Sequence, residues 1–151
     1  MVSHTEDPSM CFVGTDQENG GFIATEHLIK TGYSDIGYVN GEEGNLVGEA
    51  RKRGYIKALT EHNLPVNENY LYRIKVKGKR GDYMSGYDVG MEFCKRSDRP
   101  RAMFIYNDLS ALGFIDALDN FGLKVPEDVA IIGFDDIASE SLPHNRLTTI
   151  H

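Results

Sequence analysis

The sequence is poor in cysteine and contains no long hydrophobic run. Cys11 and Cys94 are the only cysteines in its 151 residues. Two isolated thiols do not form a disulfide framework, so we expect a reduced, cytoplasmic setting. No apolar stretch approaches the roughly 20 residues that a membrane-spanning helix needs. Residues 1–10 lack the basic start and apolar core of a secretory leader, so export is not expected.

Positive charge is scarce as well. The chain has 16 lysines and arginines against 23 acidic residues, which gives a net charge of −7. A free-standing nucleic-acid binder is usually basic and carries a clustered patch. The one local basic stretch, residues 75–80 (KVKGKR), is interpreted as a solvated loop, with direct nucleic-acid contact as the minor alternative.

Motifs of enzymes, cofactor loops and metal sites are missing. Residues 41–48 (GEEGNLVG) have the wrong glycine spacing for a dinucleotide loop and lack the lysine of a phosphate loop. There is no G-x-S-x-G elbow, and the five histidines are scattered without a helical pair. The adjacent acids at 135–136 follow the last predicted strand, which is the wrong order for the magnesium site of a phospho-receiver domain. We predict a protein that is not an enzyme and has neither cofactor nor metal.

What the chain does contain is an alternation of strand and helix patterns. Apolar runs that predict strands lie at 10–14, 36–39, 70–76, 102–106 and 129–134. Helical spacing of apolar residues occurs between them, at 24–28, 47–58, 87–94 and 111–118. This order predicts βαβ units, hence an α/β fold with an open parallel sheet and helices on both faces. Residues 1–12 form a polar segment, residues 13–151 form one domain, and residues 147–151 (LTTIH) look like the start of another strand.

Polar side chains close three of the predicted strands. They are Asn40, Asn107 and Asp135. In an open parallel sheet, ligands bind beyond the carboxyl ends of the strands. Amide and carboxylate groups there can hold ligand hydroxyls by paired hydrogen bonds. Either Asn107 or Asp108 is also expected to cap a helix that begins at Leu109, which is compatible with a ligand contact by Asn107.

Two further residues have positions that allow a ligand contact. Arg51 lies early in the second predicted helix, beside its apolar face, from where its planar donor group can reach over the strand ends. The alternative is a surface arginine with Lys52 and Arg53 as solvated neighbours. Asp16 follows the first apolar run, and position alone favours a turn or cap over a ligand role.

Five stretches have the order and spacing of one known family. They are TDQENGGFIATEHLIKTGYSDIGYVNG (15–41), ARKRGYIKAL (50–59), PRAMFIYNDLSALGFIDAL (100–118), GLKVPEDVAIIGFDDI (122–137) and LTTI (147–150). Each piece alone is weak, but the fourth followed by the fifth is highly specific. Through them the chain resembles the effector-binding domain of LacI/GalR-family bacterial transcription regulators.

The resemblance implies a sensor that works as part of a larger protein. In that family two α/β lobes, related to periplasmic sugar-binding proteins, close over a small effector, and a helix-turn-helix domain reads DNA. Residues 13–151 resemble mainly the C-terminal lobe, so the DNA-binding domain and most of the N-terminal lobe are expected to be absent. A homodimer is implied as well. The alternative is a periplasmic sugar-binding protein of an ABC transporter.

Carried over residue by residue, the effector contacts of the family fall on Asp16, Arg51, Asn107 and Asp135. The resemblance therefore implies that these residues bind the effector, while Asp136 holds the local turn. A neutral-to-acidic, multidentate set of this kind suits a sugar or another polyol.

One stretch departs from the family pattern. Members often place an aromatic residue just before the third helix, where it stacks on the effector ring, whereas residues 76–87 (VKGKRGDYMSGY) look longer and basic. Tyr83 is a candidate for that ring contact. Alternatively, Lys79 or Arg80 meets an anionic group, which would suit a phosphorylated or acidic sugar, although solvated loop charge is the commoner explanation.

Overall fold

The described part of the chain folds into four α-helices, a short 3₁₀ helix at Glu68–Tyr70 and a four-stranded parallel sheet. The computed structural model describes residues 14–75, 82–137 and 147–151. In chain order the elements are α1 (Gln17–Lys30), β1 (Ile36–Asn40), α2 (Leu46–Glu61), β2 (Leu71–Arg73), α3 (Asp82–Cys94), β3 (Ala102–Ile105), α4 (Asp108–Phe121) and β4 (Ala130–Ile132). The strands are ordered β2-β1-β3-β4, and every neighbouring pair is parallel. This confirms the predicted fold class.

Helices cover both faces of the sheet. Every residue of β1, β3 and β4 is buried, which a parallel sheet achieves when helices pack on its two sides. The helices form two pairs, α1 with α2 and α3 with α4. Large buried side chains, among them Tyr38, Phe93, Phe104 and Phe114, fill the space between the sheet and the helices.

Glycines allow both helix pairs to pack at backbone distance. A Cβ added to Gly54 of α2 would lie 1.9 Å from the carbonyl oxygen of Glu18 in α1. A Cβ added to Gly113 of α4 would lie 1.9 Å from the carbonyl oxygen of Tyr83 in α3. Such distances exclude any side chain at these positions unless the helices move apart.

The helix ends follow the expected capping chemistry. Asn107 is the N-cap of α4, and its Oδ1 accepts a hydrogen bond of 2.9 Å from the backbone N–H of Ser110. The prediction that one residue of the Asn107–Asp108 pair caps this helix is thus confirmed, although the helix begins at Asp108 rather than at Leu109. Gly122 caps the end of the helix with a φ of 82°. Glycine adopts this left-handed conformation without the steric cost that other residues have.

Three of the described strands are shorter than the apolar runs that predict them, whereas β1 is one residue longer than its run. β2 ends at Arg73 and β4 at Ile132, although the backbone N–H of Ile74 still donates to the carbonyl oxygen of Asn40 at 3.0 Å. Residues 10–13 of the first predicted strand, and residue 76 of the third, lie outside the described part of the chain. Residues 147–151 run beside β4, with a parallel bridge between Ile132 and Thr148, in line with the strand expected there.

Candidate functional site

The guanidinium of Arg51 lies over the carboxyl ends of β3 and β4. Arg51 is on α2, the helix that follows β1, and its side chain is only 5% exposed. Its Nη1 donates to the carbonyl oxygen of Tyr106, just beyond β3. Its Nη2 donates to Oδ1 of Asp135, just beyond β4, at 2.8 Å. One side chain from α2 thus joins the ends of two strands. It does so at the edge where the chain leaves the neighbouring strands β1 and β3 toward opposite sides of the sheet. Open α/β sheets bind ligands at such a point.

A ring beneath the guanidinium fixes its plane. The Cζ atom of Arg51 lies 3.5 Å from the centroid of the Phe134 ring, which is itself buried. This contact combines packing with a cation–π attraction. A Cβ added to Gly20 of α1 would lie 2.5 Å from that ring, so the glycine makes room for Phe134. The Phe134 ring on one face and the hydrogen bonds of its nitrogen atoms therefore hold the guanidinium of Arg51 in one orientation.

Asp135 presents its carboxylate to solvent at the same edge. Its side chain is 40% exposed, and its backbone adopts a φ of 103°, a conformation that non-glycine residues rarely take. The backbone N–H of Asp135 donates to the carbonyl oxygen of Ile150 at 3.1 Å. Because only one carboxylate oxygen is bound to Arg51, the other can accept a hydrogen bond from a ligand.

Asp136 takes part in the same turn. Its backbone N–H donates to Oγ1 of Thr149 at 3.2 Å, and its carboxylate is 2.7 Å from Nδ1 of His151. These contacts agree with the structural role expected for Asp136.

Asn107 lies next to Tyr106 and joins α4 to the start of α3. Its Oδ1 caps α4, and its Nδ2 donates to Oδ2 of Asp82 at 3.0 Å. The residue is 9% exposed. An amide nitrogen carries two hydrogens, so one remains for a ligand after the bond to Asp82. Asn107 thus adjoins the Arg51–Asp135 pair through the chain neighbour whose carbonyl Arg51 binds.

Asp16 is at the same edge but acts as a helix cap. Its Oδ1 accepts from the backbone N–H of Asn19 at 2.9 Å, and the residue is exposed. The following residue, Gln17, accepts a hydrogen bond from Nε of Arg51 through its Oε1 at 2.8 Å. This contact places the start of α1 beside Arg51.

Tyr83 directs its hydroxyl toward α4. Its hydroxyl donates to the carboxylate of Asp116 on α4, and this bond raises the pKa of Tyr83 to about 12. The ring lines an open groove of about 410 Å³ between α3 and α4. The hydroxyl is thus bound on the outer side of the α3–α4 pair rather than beside Arg51. Lys79 and Arg80 lie outside the described residues.

Asn40, the third strand-end residue, also points away from Arg51. Its Nδ2 donates to Oε1 of Glu49 at 2.8 Å, and the same carboxylate is paired with Arg73 at 2.8 Å. The arginine lowers the pKa of Glu49. Asn40 is 2% exposed and its Oδ1 has no described hydrogen-bond partner. It is the buried member of a polar cluster whose charged members, Glu49 and Arg73, are each 38% exposed.

Sequence reasoning missed three residues that support this edge. They are Gln17, Asp82 and Phe134. Gln17 and Asp82 begin helices, and Phe134 ends an apolar run, so their positions near the strand ends could have been inferred from the predicted topology. Their contacts with Arg51 and Asn107 depend on side-chain directions that no spacing in the sequence reports.

Comparison with known proteins is consistent with this geometry. Residues 25–151 match the model of the periplasmic binding protein-like domain. The chain belongs to this family. Its curated relatives include the HTH-type transcriptional repressor PurR of Actinobacillus pleuropneumoniae, which is 39% identical over 134 residues. That match covers 87% of this chain and 38% of the relative, so the chain spans less than half the length of the curated relatives it matches.

Solved structures of LacI-family regulators have the same fold. A sugar-binding transcriptional regulator of the LacI family from Escherichia coli, complexed with phosphate, aligns with a TM-score of 0.81 and 30% identity over 91% of this chain and 48% of that one. A LacI-family regulator from Lactobacillus casei with bound glucose aligns with a TM-score of 0.77 and 28% identity over 90% of this chain and 50% of that one.

These matches confirm the resemblance to effector-binding domains of LacI-family regulators. The three relatives named above are transcriptional regulators. Among residues 14–75, 82–137 and 147–151, no helix has the length and apolar character needed to cross a membrane.

Proposed function

We propose that residues 13–151 form the C-terminal lobe of the effector-binding domain of a LacI-type transcriptional regulator. The lobe binds a small effector, a sugar or sugar derivative, in a cleft shared with a second lobe. The regulator's DNA-reading helix-turn-helix head belongs to another part of the longer protein. The glucose bound by the Lactobacillus casei regulator supports a carbohydrate effector.

The observation that carries this proposal is the Arg51–Asp135 pair at the carboxyl edge of the sheet. Arg51 retains unbound N–H groups after its described hydrogen bonds, and Asp135 retains an unbound oxygen. Donors and acceptors held side by side at fixed spacing suit adjacent hydroxyl groups of a sugar ring. Asn107 and Asp16 flank the pair and extend the set of contacts to four residues.

The mechanism is a coupling free energy between the effector site and the DNA site. An effector that contacts both lobes only when they are closed stabilises the closed state by its differential affinity. Closure then changes the relative position of the DNA-reading heads in a dimer. A single lobe retains only half of the contacts, so it binds the effector weakly or undetectably.

A homodimer in the cytoplasm fits this mechanism. Tyr83 and Met84 of α3 are apolar and 37% and 42% exposed, and they lie beside the open groove between α3 and α4. Exposed apolar side chains that cluster are typical of protein–protein contacts. The α3–α4 surface is therefore proposed as part of the subunit interface.

Calorimetric titration with glucose, sucrose and other neutral sugars tests the effector site. The titration is carried out on this chain and on a longer protein that contains both lobes. We expect a measurable dissociation constant for the two-lobe protein and a much weaker one for the single lobe. Tight binding by the single lobe would contradict the shared cleft.

Two substitutions in the two-lobe protein locate the site. Asp135→Asn removes a charged acceptor from the edge and is expected to weaken sugar binding about tenfold or more, since hydrogen bonds to charged groups contribute about 1.5–3 kcal/mol. Arg53→Met is the control, because Arg53 is only two residues from Arg51 on α2 but pairs with Glu18 on the surface. Equal affinity of the Asp135→Asn variant and the unaltered protein would place the effector elsewhere.

A further inference from the structure

Asp108 is a buried carboxylate that is not among the proposed effector contacts. It follows Asn107 at the start of α4 and is 1% exposed. Burial raises the pKa of Asp108 above its ordinary value, so its ionised form is costly unless hydrogen bonds stabilise it. Neutral donors surround it: the hydroxyl of Thr149 lies 2.8 and 2.9 Å from the two carboxylate oxygens, and the backbone N–H of Ile137 donates at 2.9 Å.

The bonds of Asp108 enclose the turn that carries Asp135. On one side, the backbone N–H of Asp108 donates to the carbonyl oxygen of Phe134 at 2.9 Å. On the other side, the carboxylate of Asp108 accepts from Ile137. Between these anchors Asp135 and Asp136 adopt φ values of 103° and 45°. Such left-handed conformations in non-glycine residues persist only when the surroundings determine them.

Thr149 connects the same carboxylate to the segment beside β4. The neighbours of Thr149 form backbone bonds to the turn: the N–H of Gly133 donates to Thr148 at 2.8 Å, and the N–H of Asp135 donates to Ile150 at 3.1 Å. A Cβ added to Gly133 would lie 2.2 Å from Oδ1 of Asp108, so the carboxylate contacts the backbone of the turn directly. Asp108 therefore accepts hydrogen bonds from both segments that hold Asp135: the turn itself, through Ile137, and the segment beside β4, through Thr149.

We infer that Asp108 is a positioning residue for the effector site, because it sets the location and backbone conformation of Asp135 without touching the effector. The inference rests on the proposed function for its biological meaning. Its physical content is a local one: without the Asp108–Thr149 and Asp108–Ile137 bonds, the turn relaxes from its left-handed conformation and Asp135 leaves Arg51.

Amide hydrogen exchange of the intact chain, followed residue by residue by NMR, tests this inference. The variants are Asp108→Asn and Thr149→Val, and the readout is the N–H of Asp135, whose own acceptor is Ile150. We expect exchange at Asp135 to become about tenfold faster in Asp108→Asn, since loss of one such bond costs about 1.4 kcal/mol. Thr149→Val should accelerate it at least as much, because it also removes the acceptor of the Asp136 N–H. Amides of β1 and α2 keep their exchange rates, which separates positioning from general stabilisation.

Two matched controls are available in the chain. Thr149→Ser keeps the hydroxyl, and Asp119→Asn makes the same chemical change on an exposed residue of the same helix. Both are expected to stay within about twofold of the unaltered chain. If Asp108→Asn does not fold, the comparison of Thr149→Val with Thr149→Ser decides.

Three results would overturn the inference. They are unchanged exchange at Asp135 in Thr149→Val, equal acceleration there in Thr149→Ser, and equal acceleration throughout β1 and α2. Because exchange is measured without sugar, a failure of the proposed effector binding is distinguishable from a failure of positioning.

Discussion

The two helix pairs pack in the same way but present different chemistry. In both pairs a glycine of one helix meets a backbone carbonyl of the other, Gly54 against Glu18 and Gly113 against Tyr83. The α1–α2 pair directs Arg51 under the surface to the strand ends. The α3–α4 pair leaves Tyr83 on the outside, bound to Asp116. Both side chains contact a carboxylate, yet only one of them lies where a sheet of this kind binds ligands.

The difference shows that location relative to the sheet edge matters more than residue type. Arg51 is 5% exposed and has partners in three segments of the chain: Gln17 in α1, Tyr106 after β3 and Asp135 after β4. Tyr83 is 37% exposed and its hydroxyl partner is at the surface. Substitutions on the two sides should therefore differ in cost, and the following predictions are ordered from the largest expected effect to the smallest.

Replacing Arg51 should have the largest effect. Arg51→Met keeps much of the side-chain volume but removes the donors to Asp135 and to the carbonyl of Tyr106. We expect the free energy of unfolding to fall by about 2–4 kcal/mol, because a buried acceptor loses its partner. Urea denaturation followed by circular dichroism measures this. The control is Arg53→Met, which breaks an exposed pair with Glu18 and should cost less than about 1 kcal/mol; equal losses would contradict the comparison.

Replacing the two contact glycines should lower the free energy of unfolding by less than Arg51→Met does, and by similar amounts in the two helix pairs. Gly54→Ala and Gly113→Ala each force a Cβ toward a backbone oxygen, so we expect each to lower the free energy of unfolding by about 1–3 kcal/mol. This loss occurs although alanine favours helix by about 1 kcal/mol relative to glycine. Only Gly54→Ala should also shift the NMR signal of the Arg51 Nε–H group. A gain in stability in either variant would mean that the helices separate readily.

The pH dependence of stability should distinguish Asp108 from surface acids. Burial raises the pKa of Asp108 above 3.8, so between that value and the folded-state pKa the folded state binds more protons than the unfolded state. Stability from this group is therefore largest at low pH and falls as the pH rises through the folded-state pKa. Urea titrations from about pH 4 to about pH 7 should show a smaller decline for Asp108→Asn than for the unaltered chain.

Glu49 provides the opposite sign as a control. Arg73 lowers the pKa of Glu49 below 4.5, so its contribution is present above 4.5 and is lost as the pH falls through the folded-state pKa. Glu49→Gln should therefore lose its stability difference from the unaltered chain in acid. Parallel pH profiles for the two variants would contradict the assignment of opposite shifts.

Tyr83→Phe should have the smallest effect. It removes an exposed hydroxyl bonded to Asp116, so we expect a change of less than about 0.5 kcal/mol in the free energy of unfolding. Because Tyr83 lies on the outer side of the α3–α4 pair, sugar affinity of the two-lobe protein should be unchanged in a calorimetric titration. An affinity loss comparable to that of Asp135→Asn would show that Tyr83 contacts the effector.

Periodicity and capping residues were sufficient to predict the fold. The alternation of apolar runs with helical stripes predicted every described strand and α-helix, because a parallel sheet needs continuous apolar strands and one apolar face on each helix. Asn107 and Gly122 mark the ends of α4 by their backbone and side-chain chemistry. The strand ends were predicted less accurately: Tyr106 and Phe134 are apolar and buried, but β3 ends at Ile105 and β4 at Ile132.

The candidate site was predictable only in part. Placing Asp135 and Asn107 at one edge follows from parallel strands ending on the same side. The local environment of Asp108 did not follow, since its partners Thr149 and Ile137 are 41 and 29 residues away in the chain. A carboxylate looks the same in sequence whether it caps a helix at the surface or binds a distant hydroxyl in the interior.

The sequence by itself determined the α/β class and the order of its elements, since these depend on local propensity and periodic burial. The tertiary structure decided that Arg51 stacks on Phe134 and binds Asp135, that Tyr83 faces the α3–α4 groove, and that Asp108 is buried. Those outcomes depend on how closely two helices approach and which way long side chains point. Contacts between residues far apart in the chain fix both.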